Sequence, residues 1–399
     1  EGCDDQVIVH PQAELAARLP PDMHASPSTS IPDTADRIRG ALWGMMIGDA
    51  LAMPVHWYYR LSELQRDFGV IRDYQAPKDI HPSSIMSLSS TSRAGRGNQT
   101  GDVVGEVILK GKKHHWGPAG RHYHQGMQAG DSTLNALCAR LVLRSLCRKK
   151  AHDTADFLAD YVQFMTTEES HNDTYAESYH RDFFANWARG VPVEQCAGAT
   201  GHDTASIGGL VGLAPVVLAV AAQGDVEQSV QAGLKQLRLT HRSQPLEVFA
   251  AAYCRLLAQL VFSPPQSLTP LLQAQAPALG KGLTALLGRA ADHQDPATQV
   301  VGGLYSPACY IEDSFPSVLY LAARYAHDFE AALIANTNAG GDNCHRGSVL
   351  GALLGAWLGF DVIPLRWRQG LVAGPTLALE VDEFIQTFVP PSSLRAANG

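Results

Sequence analysis

Apolar residues along this chain recur at three- and four-residue intervals, the spacing of one helix face, while the strict alternation of a half-buried strand is almost absent. From the N-cap pair Asp33-Thr34 the spacing predicts a helix over 35–52. Another starts at Asp131-Ser132-Thr133, with Leu134, Leu137, Cys138, Leu141 and Leu146 on one face and Arg148, Lys149 and Lys150 at its end. Further helices are predicted over 154–166, 208–222, 226–237, 246–260, 315–326 and 328–337. Two segments carry small residues at every fourth position, Gly40, Gly44, Gly48 and Ala52 in the first helix and Gly347, Gly351, Gly355 and Gly359 near the C-terminus. Each helical glycine costs about 0.8–1.0 kcal/mol relative to alanine, which is tolerated where another helix backbone approaches closely. The two are therefore expected to pack face to face.

Composition narrows the classes. A hydrophobic fraction of 45% over 399 residues is enough for one large core. A formal net charge of -8, with basic runs confined to Lys110-Gly111-Lys112-Lys113 and Arg148-Lys149-Lys150, argues against a nucleic-acid surface. The apolar stretches 207–222 and 349–360 are short of the roughly 20 residues a bilayer needs, so they read as core helices and no membrane partner is expected. Seven cysteines without a CxxC pair read as free thiols in a reducing compartment, hence a cytoplasmic location. The chain opens on Glu1, and a leader removed before it would make an organelle the destination. The expected organisation is an N-terminal tail or arm over 1–32, one domain over 33–392 and a short tail over 393–399. The polar stretch 77–130 is too long for a plain connection.

Chemistry concentrates in three places: Gly48-Asp49-Ala50-Leu51-Ala52-Met53-Pro54-Val55-His56, Gly130-Asp131-Ser132-Thr133, and Gly340-Gly341-Asp342-Asn343-Cys344-His345. Each sets an acid among small residues at a helix end, where unpaired N–H groups and the helix dipole favour negative charge. Asp49 lies in a small-residue helix where a charge needs a partner, for which His56 and His345 are the candidates. Cys344 reads either as a packed thiol or as one activated at a helix start, the packed state being favoured. The segment His114, His115, Trp116, Arg121, His122, Tyr123 and His124 lacks zinc-ligand spacing and reads as an aromatic and imidazole lid. Asn98-Gln99, Asp173-Thr174-Tyr175 and Tyr179-His180-Arg181 are further polar sets for a cleft wall.

In this order the three motifs resemble those of the ADP-ribosylglycohydrolase family, particularly its branch containing the jellyfish J-type crystallins. The resemblance implies an all-α, orthogonally packed fold and cleavage of the bond between ADP-ribose and an acceptor, with two magnesium ions. His56 stands where the first motif, G-D-A-x-G-x-P-x-E, ends in glutamate. Gly130-Asp131-Ser132-Thr133 stands for T-D-D-T, and in G-G-D-T-D-T the second aspartate is Cys344 and the last threonine His345. Of the six implied metal positions, only Asp131 and Asp342 keep their carboxylates.

The expectation is a hydrolase that cleaves a glycosidic or related C–N bond in a small polar substrate, an ADP-ribose conjugate or nucleoside-like compound, without the two-magnesium centre. Asp342 and Asp131 would do acid–base or electrostatic work, with His56, His345 and Asp49 beside them. Gly340, Gly341, Asn343, Cys344, Ser132, Thr133, Asn98, Gln99 and His124 would contact substrate. No metal is required on this reading. The alternatives are a partial magnesium site, a zinc enzyme using His56, Cys344, His345 and an aspartate, and a non-catalytic protein of the crystallin type.

Overall fold

A computed structural model of the chain describes residues 31–88, 103–198, 204–292 and 296–389. Asn98 and Gln99 lie outside them. Among the described residues there are fifteen α-helices and no strand, so the all-α expectation holds.

The centre is the pair Thr34–Ala52 and Asn343–Leu358, both buried on nearly every side, as helices without a polar face must be. They run antiparallel in a register set by glycine. A Cβ built on Gly40 would lie 2.3 Å from the Gly355 oxygen, on Gly44 2.1 Å from that of Gly351, and on Gly48 2.0 Å from that of Gly347. The small-residue stripes thus do what the sequence predicts. Arg37 fixes the far end, giving hydrogen bonds to the carbonyl oxygens of Ala356 at 2.9 Å and Trp357 at 2.6 Å, where the helix dipole is negative. This register carries the Asp49–His56 end of one helix to the Asp342–His345 start of the other.

The helix predicted from Asp131 begins at Leu134 with Thr133 as its N-cap and runs to Lys149. The helix predicted over 315–326 runs Ile311–Arg324, taking Glu312 and Asp313 into its first turn and Pro316 inside it. The stretch predicted over 208–222 is a 3₁₀ segment, Ile207–Leu213, followed by Ala214–Gln223, with Pro215 in the first turn where its missing N–H is harmless. Gly359 ends the late helix at φ 85° and is not a member of it. Helices Leu61–Phe68, Ser178–Ala188, Leu268–Gln275, Leu283–Arg289, Leu365–Gly370 and Gly374–Phe388 complete the shell. The segment from Val103 onward folds inward, with Val104, Ile108, Trp116, His122, Tyr123 and His124 buried. It forms a wall of the core, so His122, Tyr123 and His124, expected as part of an aromatic and imidazole lid, are packed inside the chain.

Candidate functional site

Between the helix Phe329–Asn338 and the helix that starts at Asn343, the chain must turn through Gly340 and Gly341, both at φ 66°. Only glycine takes this conformation freely, and no side chain fits: a Cβ would come within 2.2 Å of the Tyr58 oxygen at the first and 2.0 Å of the Pro307 oxygen at the second. The turn is clasped on both sides. Gly341 gives its N–H to Tyr58 O at 2.8 Å and accepts from Trp57 N at 2.7 Å, while Asp342 N–H goes to Pro307 O at 2.8 Å. The buried Arg346 donates to Gly340 O at 2.7 Å, and the Asn343 amide donates to Thr337 O at 2.8 Å. The donors expected to meet substrate at Gly341 and on the Asn343 amide are thus already used inside the chain; they shape the loop.

Asp342 occupies the N-cap position but makes no cap hydrogen bond, because its carboxylate turns to two imidazoles. His56 Nε2 donates to Asp342 Oδ1 at 2.9 Å, His56 Nδ1 meets His124 Nε2 at 2.7 Å, and His124 Nδ1 donates to Asp173 Oδ1 at 2.7 Å. All four side chains are buried. The carboxylates at the ends can only accept, so three hydrogens are needed on four ring nitrogens, one more than two neutral imidazoles carry. Burial pushes His56 down to about 3 against the opposing pull of Asp342. Burial would raise Asp173, yet His124 and the N–H groups of Leu134 and Tyr175 outweigh it and hold that carboxyl at about 2.

His345, one turn into the late helix, sets Nδ1 at 2.8 Å from Asp342 Oδ1 but off the line of a hydrogen bond. The contact is an ion pair, which leaves His345 Nδ1 and Asp342 Oδ2 buried without an aligned partner. Burial works against charge on this imidazole, but Asp342, Glu177 and Asp49 outweigh it and hold it up at about 10. Asp342 in turn is held well below the carboxylate range by His345 and His56 despite its burial. Because the folded value of His345 exceeds its unfolded value near 6.5, its contribution to stability is full below that pH and is lost as pH rises towards 10. Urea midpoints of wild type and His345→Gln are therefore expected to differ most at and below about pH 6.5 and to converge as pH rises to about 10; a constant gap would refute the pairing.

The other expected residues lie nearby with different partners. Asp49 does not meet His56 or His345 by hydrogen bond: its two oxygens accept from Thr133 N and Thr133 Oγ1, each at 2.7 Å, so it caps the helix Leu134–Lys149 from outside. Burial leaves its carboxyl raised to about 6 even so. Asp131 closes its own turn, accepting from Gln128 N at 2.8 Å and Asn172 Nδ2 at 3.2 Å. The Ser132 hydroxyl is buried without a partner. Cys344 packs with Ala52, Met53 and Met127, and burial pushes its thiol well up, so the packed alternative is the one observed. Trp57, at φ 64°, stacks on His56 with ring centroids 3.6 Å apart, a strained backbone of the kind found at functional sites. Sequence reasoning gave Asp173 no more than a place in a cleft wall and passed over Glu177. Their signal is two acids four residues apart before a helix, in a segment without apolar periodicity.

A model of the ADP-ribosylglycohydrolase family matches residues 30–391. The chain belongs to that family. A solved chain from an "ADP-ribosylglycohydrolase-related protein complex" shares the fold, with a TM-score of 0.57 over 90% of this chain and 100% of its own, at 19% identity. No curated protein matches. Membership points to a hydrolase of ADP-ribose conjugates.

The two magnesium ions implied by the family motifs would call on the matching positions of this chain. Magnesium wants near-octahedral oxygen ligation. Here Asp131 gives one oxygen, Oδ2, to its own turn, and the second-aspartate position holds a thiol that burial keeps protonated among methionines. The imidazole of His345 stands at the last position. Asp342 is the carboxylate in direct contact with both His56 and His345.

Proposed function

We propose that this chain is a hydrolase that cleaves a glycosidic or related C–N bond in an ADP-ribose conjugate or nucleoside-like compound, at the Asp342 cluster and without a two-magnesium centre. One observation carries the reading: the buried Asp342 carboxylate, its Oδ2 without a hydrogen-bond partner, lies 2.8 Å from the imidazole Nδ1 of His345. In the proposed reaction His345 gives its proton to the departing nitrogen or oxygen as the bond to the anomeric carbon breaks. Asp342 stabilises the positive charge that develops there and takes a proton from the water that replaces the leaving group. Direct contact between Asp342 and His345 then returns the proton to the imidazole. The bond and proton count closes with water as the only co-reactant.

A second reading, a non-catalytic protein of the crystallin branch, has one observation in its favour: Asp342, His56 and His345 are at most 2% exposed. A hydrolysis screen over ADP-ribosyl and N-glycosyl compounds separates the two. Product release by wild-type protein at substoichiometric concentration supports the enzyme, and its absence across the panel supports the crystallin reading.

A further inference from the structure

We propose that His56 Nε2, His345 Nδ1 and the carboxylate of Asp342 form a site for one divalent ion of the zinc or cobalt class. Their ligand atoms all lie within 4.8 Å of one another. Asp342 Oδ1 is 2.9 Å from His56 Nε2 and 2.8 Å from His345 Nδ1, so these ligand atoms need to spread by only about 0.5 Å to take the ~3.3 Å edges of a tetrahedron around one small cation. Asp342 Oδ2 and His345 Nδ1 are buried without an aligned partner, an arrangement that closing on an ion would satisfy.

Donor chemistry selects the ion. Two imidazole nitrogens and one carboxylate suit zinc and its neighbours and leave a coordination position free, whereas magnesium calls for oxygens. The outer partners are also in place. A ligating histidine ordinarily donates its second ring N–H to a fixed acceptor, and His56 Nδ1 already meets His124, which is anchored on Asp173. The zinc set read from the sequence included Cys344, but the thiol of Cys344 groups with His56 and His124 and not with Asp342 and His345.

In the metal-free chain, hydrogens on His56 Nε2 and His345 occupy the space the ion would take. The ion-bound and acid–base forms of the cluster therefore exclude one another. Because binding is read without substrate, its failure leaves the hydrolase reading standing, and the failure of that reading leaves the metal site standing.

Chelator-stripped full-length protein is titrated with Co²⁺ alone and followed by its visible ligand-field absorption, with an excess of Mg²⁺ as competitor. One equivalent is expected to bind, with imidazole-ligated bands that Mg²⁺ does not displace, and the bands are expected to vanish in His56→Ala and His345→Ala. Asp173→Asn, which alters no ligand, is expected to weaken binding roughly 10–100-fold, so the test survives a ligand variant that fails to fold. Absence of saturable binding, displacement by Mg²⁺, or unchanged bands in folded His56→Ala and Asp173→Asn overturns the proposal.

Discussion

Asp342→Asn is expected to lower hydrolysis of an ADP-ribosyl substrate by about 10²–10⁴-fold, the range for loss of one positioned acid–base group. The substitution keeps size, planarity and an oxygen for His56 Nε2–H, which donates to Asp342 at 2.9 Å, so the turn through Gly340 and Gly341 should persist. What disappears is the negative charge. Without it nothing at 2.8 Å holds the His345 proton, and Glu177, at 3.8 Å, is the nearest carboxylate left. Both halves of the proposed acid–base pair therefore fail in one change. The effect should fall on kcat, because the charge matters most where positive charge develops on the sugar. Initial rates for wild type and variant, with melting curves to show that both are folded, check this; a variant that keeps wild-type kcat removes Asp342 from the mechanism.

Gly351→Ala is expected to destabilise the fold by about 3 kcal/mol or more, at the upper end of overpacking effects. Alanine would gain about 1 kcal/mol in helix propensity, but its methyl would sit 2.0 Å from the Gly44 oxygen. Neither helix can move alone, since Gly40 against Gly355 and Gly48 against Gly347 are equally close. The helices would have to separate along their length, and the same separation would draw His56 from Asp342. Gly117→Ala is the control, because nothing lies within 4 Å of a Cβ there and the residue is exposed. Urea unfolding of the two variants should show a large midpoint fall for Gly351→Ala and little change for Gly117→Ala; comparable midpoints would contradict the registered glycine contact.

Much of the fold was legible because its determinants are local or periodic. The four-residue glycine stripes identify both central helices and their mutual contact, and Asp33 and Thr133 mark helix starts that the structure keeps. Helices such as Ser178–Ala188 escaped because polar residues fill a face that here turns inward: His180 and Arg181 are buried, and a sequence shows type but not neighbour. The site divides the same way. His56, Asp342, His345 and His124 were singled out for chemistry and do meet. Asp131 and Asp49 were also expected there but bond to Gln128 and Thr133, since an acid before a helix can serve a cap or a site and spacing alone does not choose. Asp173 stayed obscure because its importance comes from His124, 49 residues earlier in the chain.

The account turns on whether this buried cluster performs turnover. Its most direct test is the release of free ADP-ribose from an ADP-ribosylated acceptor by wild-type protein and Asp342→Asn in parallel, resolved by chromatography, in chelator. Multiple-turnover release by wild type with loss of at least about 10²-fold in the variant is predicted. Equal release by the two folded proteins would contradict it, as would no release by wild type from any acceptor tested.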